Sequence, residues 1–298
     1  MKSTLLTTLF FLYAGCASSP PVVPEAEPVR HREALPPAEV PAPPAESVGI
    51  EWCGETADGF DDWVASFRRY AVTQGISPDL VARALGRVGY DPSVIELDRA
   101  QKSQKRSFEA FASSHVTPSR VRRGKSLLGT HMELLSKITK RFNVAAEIVV
   151  AIWGLETDFG VNQGATPSLR ALATLAYDCR RAPFFRDELS SALRILQRGD
   201  LSVEEMVGAW AGEVGQTQFL PSSYERFGVD SDGDGRVDII GSTEDALAST
   251  AHYLAEHGWQ GGQGYEPGTP NFAVLAEWNK SEIYRKTIVL FASKLAKK

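Results

Sequence analysis

From residue 60 onward, apolar residues recur at spacings of three and four, the period that gathers side chains on one face of an α-helix. Leu80, Ala84 and Leu85 form one such set, Leu127, Leu128, Leu134, Leu135 and Ile138 a second, and Leu169, Leu172 and Leu175 a third. Each follows a hydroxyl residue and a proline: Ser77-Pro78, Thr117-Pro118 and Thr166-Pro167. There the hydroxyl can accept an orphan N–H, and the proline ring is preset for the first helical turn. The pattern predicts a mainly α-helical chain. No stretch alternates apolar and polar residues for a convincing length, although Val229–Ile240 could contain a short extended piece. No internal repeat and no GxGxxG fingerprint occur, so a nucleotide-binding sheet is disfavoured.

One helix stands apart. Asn143 is placed to cap a helix through Val144–Leu155, where Glu147 is the single charge, so this helix is predicted to be buried nearly all round. Glu156 follows, then Thr157-Asp158-Phe159-Gly160, with Gly160 as the terminator. A carboxylate at this end of a buried helix meets the negative pole of the helix dipole, and Trp153 and Phe159 limit its water; both effects raise its pKa. A carboxylic acid kept protonated near neutral pH suits a general acid for glycosidic cleavage. An ordinary solvated or ion-paired helix-end glutamate would have the same local sequence.

Two further stretches carry candidate chemistry. In Gly208–Tyr224, Gly208, Gly212 and Gly215 alternate with Trp210, Gln216, Thr217, Gln218 and Phe219. That mixture suits a groove wall that a sugar approaches closely, and equally a helix–loop junction with glycines for packing. Asp230, Asp232 and Asp234, with Gly235 and the carbonyl of Arg236, match the opening positions of an EF-hand-like calcium loop. The twelfth position is Gly241 and not a bidentate glutamate, so Glu244 or Asp245 would close a longer loop; Asp238 would bind directly or through water. The alternative is a turn without an ion, but four aspartates so close together repel one another unless a cation is present.

Composition narrows the class. The chain has 298 residues, 43% apolar and 23% charged, enough for one large domain or two modest ones. A net charge of −5, with no basic block longer than Arg120–Lys125, disfavours nucleic acid as a partner. The five histidines form no ligand cluster, and neither an HExxH frame nor a GxSxG elbow is present. Lys2, the apolar run Leu5–Tyr13 and Ala14-Gly15 before Cys16 resemble a bacterial lipoprotein signal, with Tyr13 where leucine is usual. Residues 20–46 hold nine of the 17 prolines and no aromatic residue, which predicts a semi-extended tether. Of three cysteines, Cys16 is then the lipidation site, or a chance cysteine after a plain signal peptide. Cys53 and Cys179 are left as a disulfide pair in an oxidising compartment, or as two unrelated small buried residues.

Taken in order, Ala151–Gly160, Gly215-Gln216-Thr217-Gln218-Phe219 and the DxDGDG loop resemble the membrane-bound lytic murein transglycosylase B family. The likeness runs from Phe60 to Lys298 and includes Gly75-Ile76-Ser77-Pro78, Gly258-Trp259, Trp278-Asn279-Lys280-Ser281 and Tyr284. It implies a lysozyme-like core with the calcium loop, beside a helical N-terminal domain. The expected organisation is signal 1–15, tether 16–50, helical domain 51–142, catalytic core 143–258 with calcium loop 230–245, and a C-terminal segment 259–298 completing the groove. The resemblance also implies cleavage of the β-1,4 bond between N-acetylmuramic acid and N-acetylglucosamine without water, giving 1,6-anhydro ends. Glu156 takes the place of the single acid/base; Gln216, Gln218, Tyr253, Trp278, Asn279 and Tyr284 are the expected groove residues. Asp230, Asp232, Asp234, Arg236, Asp238 and Asp245 are the expected calcium ligands, structural and not needed for the chemistry. Three positions depart from the family pattern: Ala209 stands for a serine, Glu213 for a small apolar residue and Trp278 for a tyrosine. Glu213 near Glu156 would raise its pKa by like-charge repulsion, or position a water for hydrolysis. A hydrolytic muramidase and a non-catalytic peptidoglycan-binding lipoprotein are the competing readings. The expected setting is the periplasmic face of the outer membrane, as a lipid-anchored monomer.

Overall fold

A computed structural model describes residues 52–100 and 107–297, where the three-and-four spacing becomes thirteen helices among the described residues. The first six are α1 (Phe60–Thr73), α2 (Pro78–Leu85), α3 (Pro92–Ala100), α4 (Phe108–His115), α5 (Pro118–Thr130) and α6 (Met132–Phe142). Next come α7 (Ala146–Thr157), strand β1 (Thr166–Pro167), α8 (Ser168–Tyr177), α9 (Ala182–Arg198) and strand β2 (Val207–Gly208). The chain ends with α10 (Pro221–Phe227), α11 (Thr243–Glu256), α12 (Pro270–Trp278) and α13 (Glu282–Ala296). Cys16, the signal segment 1–15 and the tether 16–50 lie outside the described residues.

The punctuation of the sequence marks most helix starts, with informative exceptions. Thr117 caps α5 by accepting the Arg120 N–H at 3.2 Å, and Pro78 opens α2. Thr166-Pro167, expected to start a helix, instead forms β1, which pairs antiparallel with β2 in the register Thr166↔Gly208 and Pro167↔Val207. The helix begins one residue later, at Ser168. The extended piece expected in 229–240 is absent; that segment is turns and bends. Asn143 does not start α7 but ends α6: it takes the left-handed conformation (φ 59°) that asparagine tolerates, and its N–H returns to Thr139 O at 2.8 Å. At the other end, α7 stops at Thr157 because Asp158 (φ 52°) and Phe159 (φ 60°) turn left-handed before Gly160 is reached.

The described helices bury their apolar faces in two clusters. One gathers Phe60, Trp63 and Phe67 of α1, Leu80 and Leu85 of α2, most of α8 and the inner face of α9, with Phe219 and Tyr224. The other surrounds α7 with Leu135 and Ile138 of α6, Leu247 and Leu254 of α11, Leu275 of α12, and Ile288 and Phe291 of α13. Each large side chain so buried contributes roughly 1.5–3 kcal/mol. The expected boundary at 142/143 does not divide these clusters. Within 51–142, α1 to α3 pack with α8 and α9, whereas α5 and α6 pack with α7, α11 and α13. Residues 48–298 accordingly form one compact unit. Helix faces choose their partners by complementarity and not by chain order.

α7 is the axis of the second cluster. Nine of its 12 residues are buried, as its unbroken apolar run requires. Gly154 lets two rings reach its backbone: an added Cβ would stand 2.7 Å from both Phe159 and Phe291. At the other end of the first cluster, Cys53 and Cys179 are joined in a disulfide. Beside it Asp98, 1% exposed, binds Arg99, Arg180 and Arg181. Burial of that carboxylate is offset by its three cations, which hold it below the usual carboxylate range.

Candidate active site

The two clusters meet along a seam, and Tyr253 and Trp278 pack against both. A groove of about 330 Å³ opens there. Its lining comes from the end of α7 (Glu156), the loop after β2 (Ala209, Trp210, Glu213, Gln218, Phe219), the start of α10 (Leu220, Ser223), α11 (Tyr253) and the end of α12 (Glu277, Trp278, Asn279). Phe219, Tyr253 and Trp278 meet edge to face, with ring centroids 5.2–6.0 Å apart, a rigid apolar wall.

Glu156 stands half-buried in this groove. The indole N–H of Trp278 donates to its Oε1 at 3.0 Å and the hydroxyl of Tyr284 donates to the same oxygen at 2.7 Å. With both donors on Oε1, a proton on the carboxyl belongs on Oε2. Burial is the largest influence and raises the pKa to about 7; the two hydrogen bonds stabilise the anion and oppose it, while Glu213 adds a smaller upward push. Loss of water is the dominant cause. Tyr284 keeps its own proton, because burial and the adjacent Glu156 push its pKa far up.

Asp158, two residues away, is committed elsewhere. Its Oδ1 accepts from Arg120 Nε at 2.9 Å and its Oδ2 from Arg123 at 3.0 Å. Two more carboxyls line the groove, Glu277, which is paired with Lys280, and Glu213. Oε2 of Glu213 is buried without a hydrogen-bond partner, and burial raises its pKa. The backbone carrying it is held by Ala209 N–H to Glu213 O at 2.8 Å and by two bonds between Val214 and Phe219. Gly212 is obligatory in this turn, with φ 90° and an added Cβ only 2.4 Å from Leu172.

Of the expected groove residues, Gln218, Tyr253, Trp278 and Asn279 line the cavity and Tyr284 reaches Glu156. Gln218 Nε2 donates to Gln163 O and Gly215 O, which leaves its amide oxygen for a ligand. Gln216 is elsewhere: it is 5% exposed, accepts from Trp153 Nε1 at 3.0 Å and Thr243 Oγ1 at 3.2 Å, and its carbonyl accepts from Thr157 Oγ1 at 2.5 Å. It is a strut tying α7 to the groove loop, since a buried amide must spend its groups internally. Trp210, part of the expected groove-wall stretch, lines the cavity, and Glu277 lines it without having been singled out.

Of the expected calcium ligands, Asp230, Asp232 and Asp245 each offer an oxygen within 4.8 Å of the others. Asp245, on the first turn of α11, is fully buried and accepts from Ser231 N at 2.7 Å and Asp238 N at 2.7 Å, so it draws both ends of the loop together. Asp234 and Asp238 stand outside that group, where Asp234 accepts from Arg236 N and Asp238 from Ile240 N and Gly241 N.

A mainly helical protein with one carboxylic acid at the end of a buried helix, facing an aromatic groove, has the design of a lysozyme-like enzyme. Residues 59–269 match the family described as the transglycosylase SLT domain, and the chain belongs to that family. Membrane-bound lytic murein transglycosylase B of Escherichia coli (strain K12) is 34% identical over 169 residues, 54% of this chain and 46% of that protein. The match therefore spans about half the length of this curated relative. Among solved structures, SltB3 from Pseudomonas aeruginosa in complex with NAG-NAM-pentapeptide is 33% identical with a TM-score of 0.76, covering 80% of each chain. The Escherichia coli lytic transglycosylase Slt35 in complex with calcium shares the fold at 23% identity, with a TM-score of 0.70 over 84% of this chain and 97% of that one.

Proposed function

We propose that this chain is a lytic transglycosylase of peptidoglycan, with Glu156 as general acid and then general base. The observation that carries the reading is the protonatable Glu156, at about 7, set in the groove with Oε1 held by Trp278 and Tyr284. Oε2 gives its proton to the oxygen linking N-acetylmuramic acid to N-acetylglucosamine as the bond from C1 to that oxygen breaks. The resulting carboxylate then takes the proton of the muramyl 6-hydroxyl as that oxygen bonds to C1, and a 1,6-anhydro end forms without water. Tyr284 and Trp278 stabilise the transient anion; Tyr253, Trp278 and Phe219 offer faces for sugar C–H groups, and Gln218 and Asn279 offer amides for hydroxyls. Because Asp158 is consumed by its arginines, the two-carboxylate scheme of ordinary glycosidases has no support from that residue. A Glu156→Gln protein is expected to release no anhydromuropeptides from sacculi; release at the wild-type rate would refute the assignment.

Glu213 is the specific observation that keeps a hydrolytic muramidase as the second reading, since a further carboxyl lining the groove is what water activation requires. Product mass separates the two, an anhydro end being one water lighter than a reducing end.

The reading includes a structural Ca²⁺ held by Asp230, Asp232 and Asp245, which would neutralise their mutual repulsion and close the loop ahead of α11. Asp234, Asp238 and the carbonyl of Arg236 would complete the shell directly or through water. Calorimetry with millimolar calcium is expected to show binding that Asp230→Ala abolishes; identical heats for both proteins would contradict it. Attachment through Cys16 to the periplasmic face of the outer membrane, as a monomer, belongs to the same proposal. It rests on the pattern of residues 2–16 and on the membrane-bound character of the Escherichia coli relative. No described helix is long and apolar enough to cross a membrane. Cys16→Ala is expected to leave the membrane fraction, and its retention there would count against the anchor.

A further inference from the structure

Next to the groove, across the short β1–β2 pair, lies a second cavity that the mechanism does not use. At about 700 Å³ it is larger than the groove itself. Its wall includes the buried apolar side chains Leu169 and Met206, and three arginines, Arg83, Arg87 and Arg170, line it with one acid, Glu204. Arg170 is engaged with Asp91 at 3.2 Å. Arg83 and Arg87, both exposed, form no ion pair among the described residues. The cavity thus joins an apolar wall to unneutralised guanidinium groups, which are suited to bidentate capture of carboxylates.

The two cavities are close. Met206 lines one and Ala209 the other, with only β2 between them. Three residues of chain span at most about 11 Å. A ligand reaching from one to the other therefore needs no more than a short peptide. Resting on the transglycosylase reading, the substrate supplies one: the SltB3 complex shows that such glycans carry a pentapeptide, which extends to roughly 17 Å. A stem peptide joined through its N-terminus by an amide has lost its ammonium and keeps its terminal carboxylate, so it is anionic.

We infer that the cavity lined by Arg83, Arg87, Leu169 and Met206 is a peptide-stem site, which holds the stem of the glycan strand bound in the groove. Arg83 and Arg87 take the carboxylates, and the apolar wall takes small apolar side chains. The site makes the chain favour peptide-bearing strands over bare ones. Charge attraction also makes that preference fade with salt.

The test uses the full chain and an Arg83→Ala/Arg87→Ala double variant, with peptide-bearing glycan strands and strands stripped of peptide by an amidase. Both arginines are exposed and neither belongs to the groove. Wild type should favour peptide-bearing strands, and the variant should lose about fivefold to tenfold in kcat/KM on these while matching wild type on stripped strands. Equal loss on both substrates, no loss on either, or a wild type without preference would overturn the inference. A second arm, independent of turnover, titrates free stem pentapeptide and follows the Leu169 and Met206 methyl signals by NMR. Shifts in wild type that vanish in the variant support the site, and unmoved methyls overturn it. A wild type inactive on both strands would contradict the transglycosylase reading alone, leaving the methyl titration to decide the site.

Discussion

Tyr284→Phe isolates one contributor to the acidity of Glu156. The tyrosine hydroxyl donates to Oε1 at 2.7 Å, and this bond favours the ionised carboxyl. A hydrogen bond to a charged group contributes roughly 1.5–3 kcal/mol, which corresponds to about one to two pH units. Trp278 still holds the same oxygen at 3.0 Å, so the carboxyl keeps its orientation and the change falls on its acidity. In wild type the rate falls on the alkaline limb as pH rises through about 7, because Glu156 loses its proton. Without the tyrosine donor the carboxyl stays protonated further, so the alkaline limb of the rate profile moves up by about one to two pH units. The maximum rate drops, since the transient anion has lost a partner. Initial rates of muropeptide release across the range, at constant ionic strength, measure both effects. A limb that stays in place, or moves to lower pH, would refute the role given to this hydrogen bond.

Three further outcomes follow from the same geometry. Glu213→Gln removes a like charge that disfavours ionisation of Glu156, so the alkaline limb should move to lower pH, opposite to Tyr284→Phe; an unmoved limb would show that Glu213 has no electrostatic hold on the acid. Raising Glu156 from 4.5 to about 7 costs the folded protein about 3 kcal/mol above pH 7. Glu156→Gln should therefore raise the denaturant midpoint at pH 8, with the difference vanishing below pH 4.5; a gap independent of pH would contradict this linkage. Gly154→Ala pushes a methyl to 2.7 Å from Phe159 and Phe291 and should cost about 1–3 kcal/mol in urea unfolding, whereas a wild-type midpoint would show that the rings can yield.

The helical class and the acid were legible because they rest on short-range rules. Thr117-Pro118 announces α5 locally, and the uncharged run before Glu156 can only be a buried helix. Asn143 and Thr166-Pro167 misled for a physical reason. Asparagine serves as an N-cap or as a left-handed C-cap, and the partner segment decides which. A hydroxyl–proline pair is also an acceptable strand end when β2 supplies its partner. Gln216 and Gln218 look alike in sequence; only the left-handed turn at Gln218 (φ 55°) sends one toward the groove while its neighbour braces Trp153. The apportioning of α1 to α6 between two cores was not readable, because amphipathic periodicity shows that a helix has an apolar face but not which helix covers it. The Asp98–arginine cluster was hidden likewise, its members separated by about eighty residues of chain.

Whether one carboxyl makes the product without water is read from digestion of sacculi in water enriched in heavy oxygen, with the new glycan ends weighed. Every new muramyl end should be the anhydro form, lighter by one water than a reducing end and free of label, and Glu156→Gln should give no ends at all. Reducing ends carrying one labelled oxygen would contradict a route without water and give Glu213 the role of activating water.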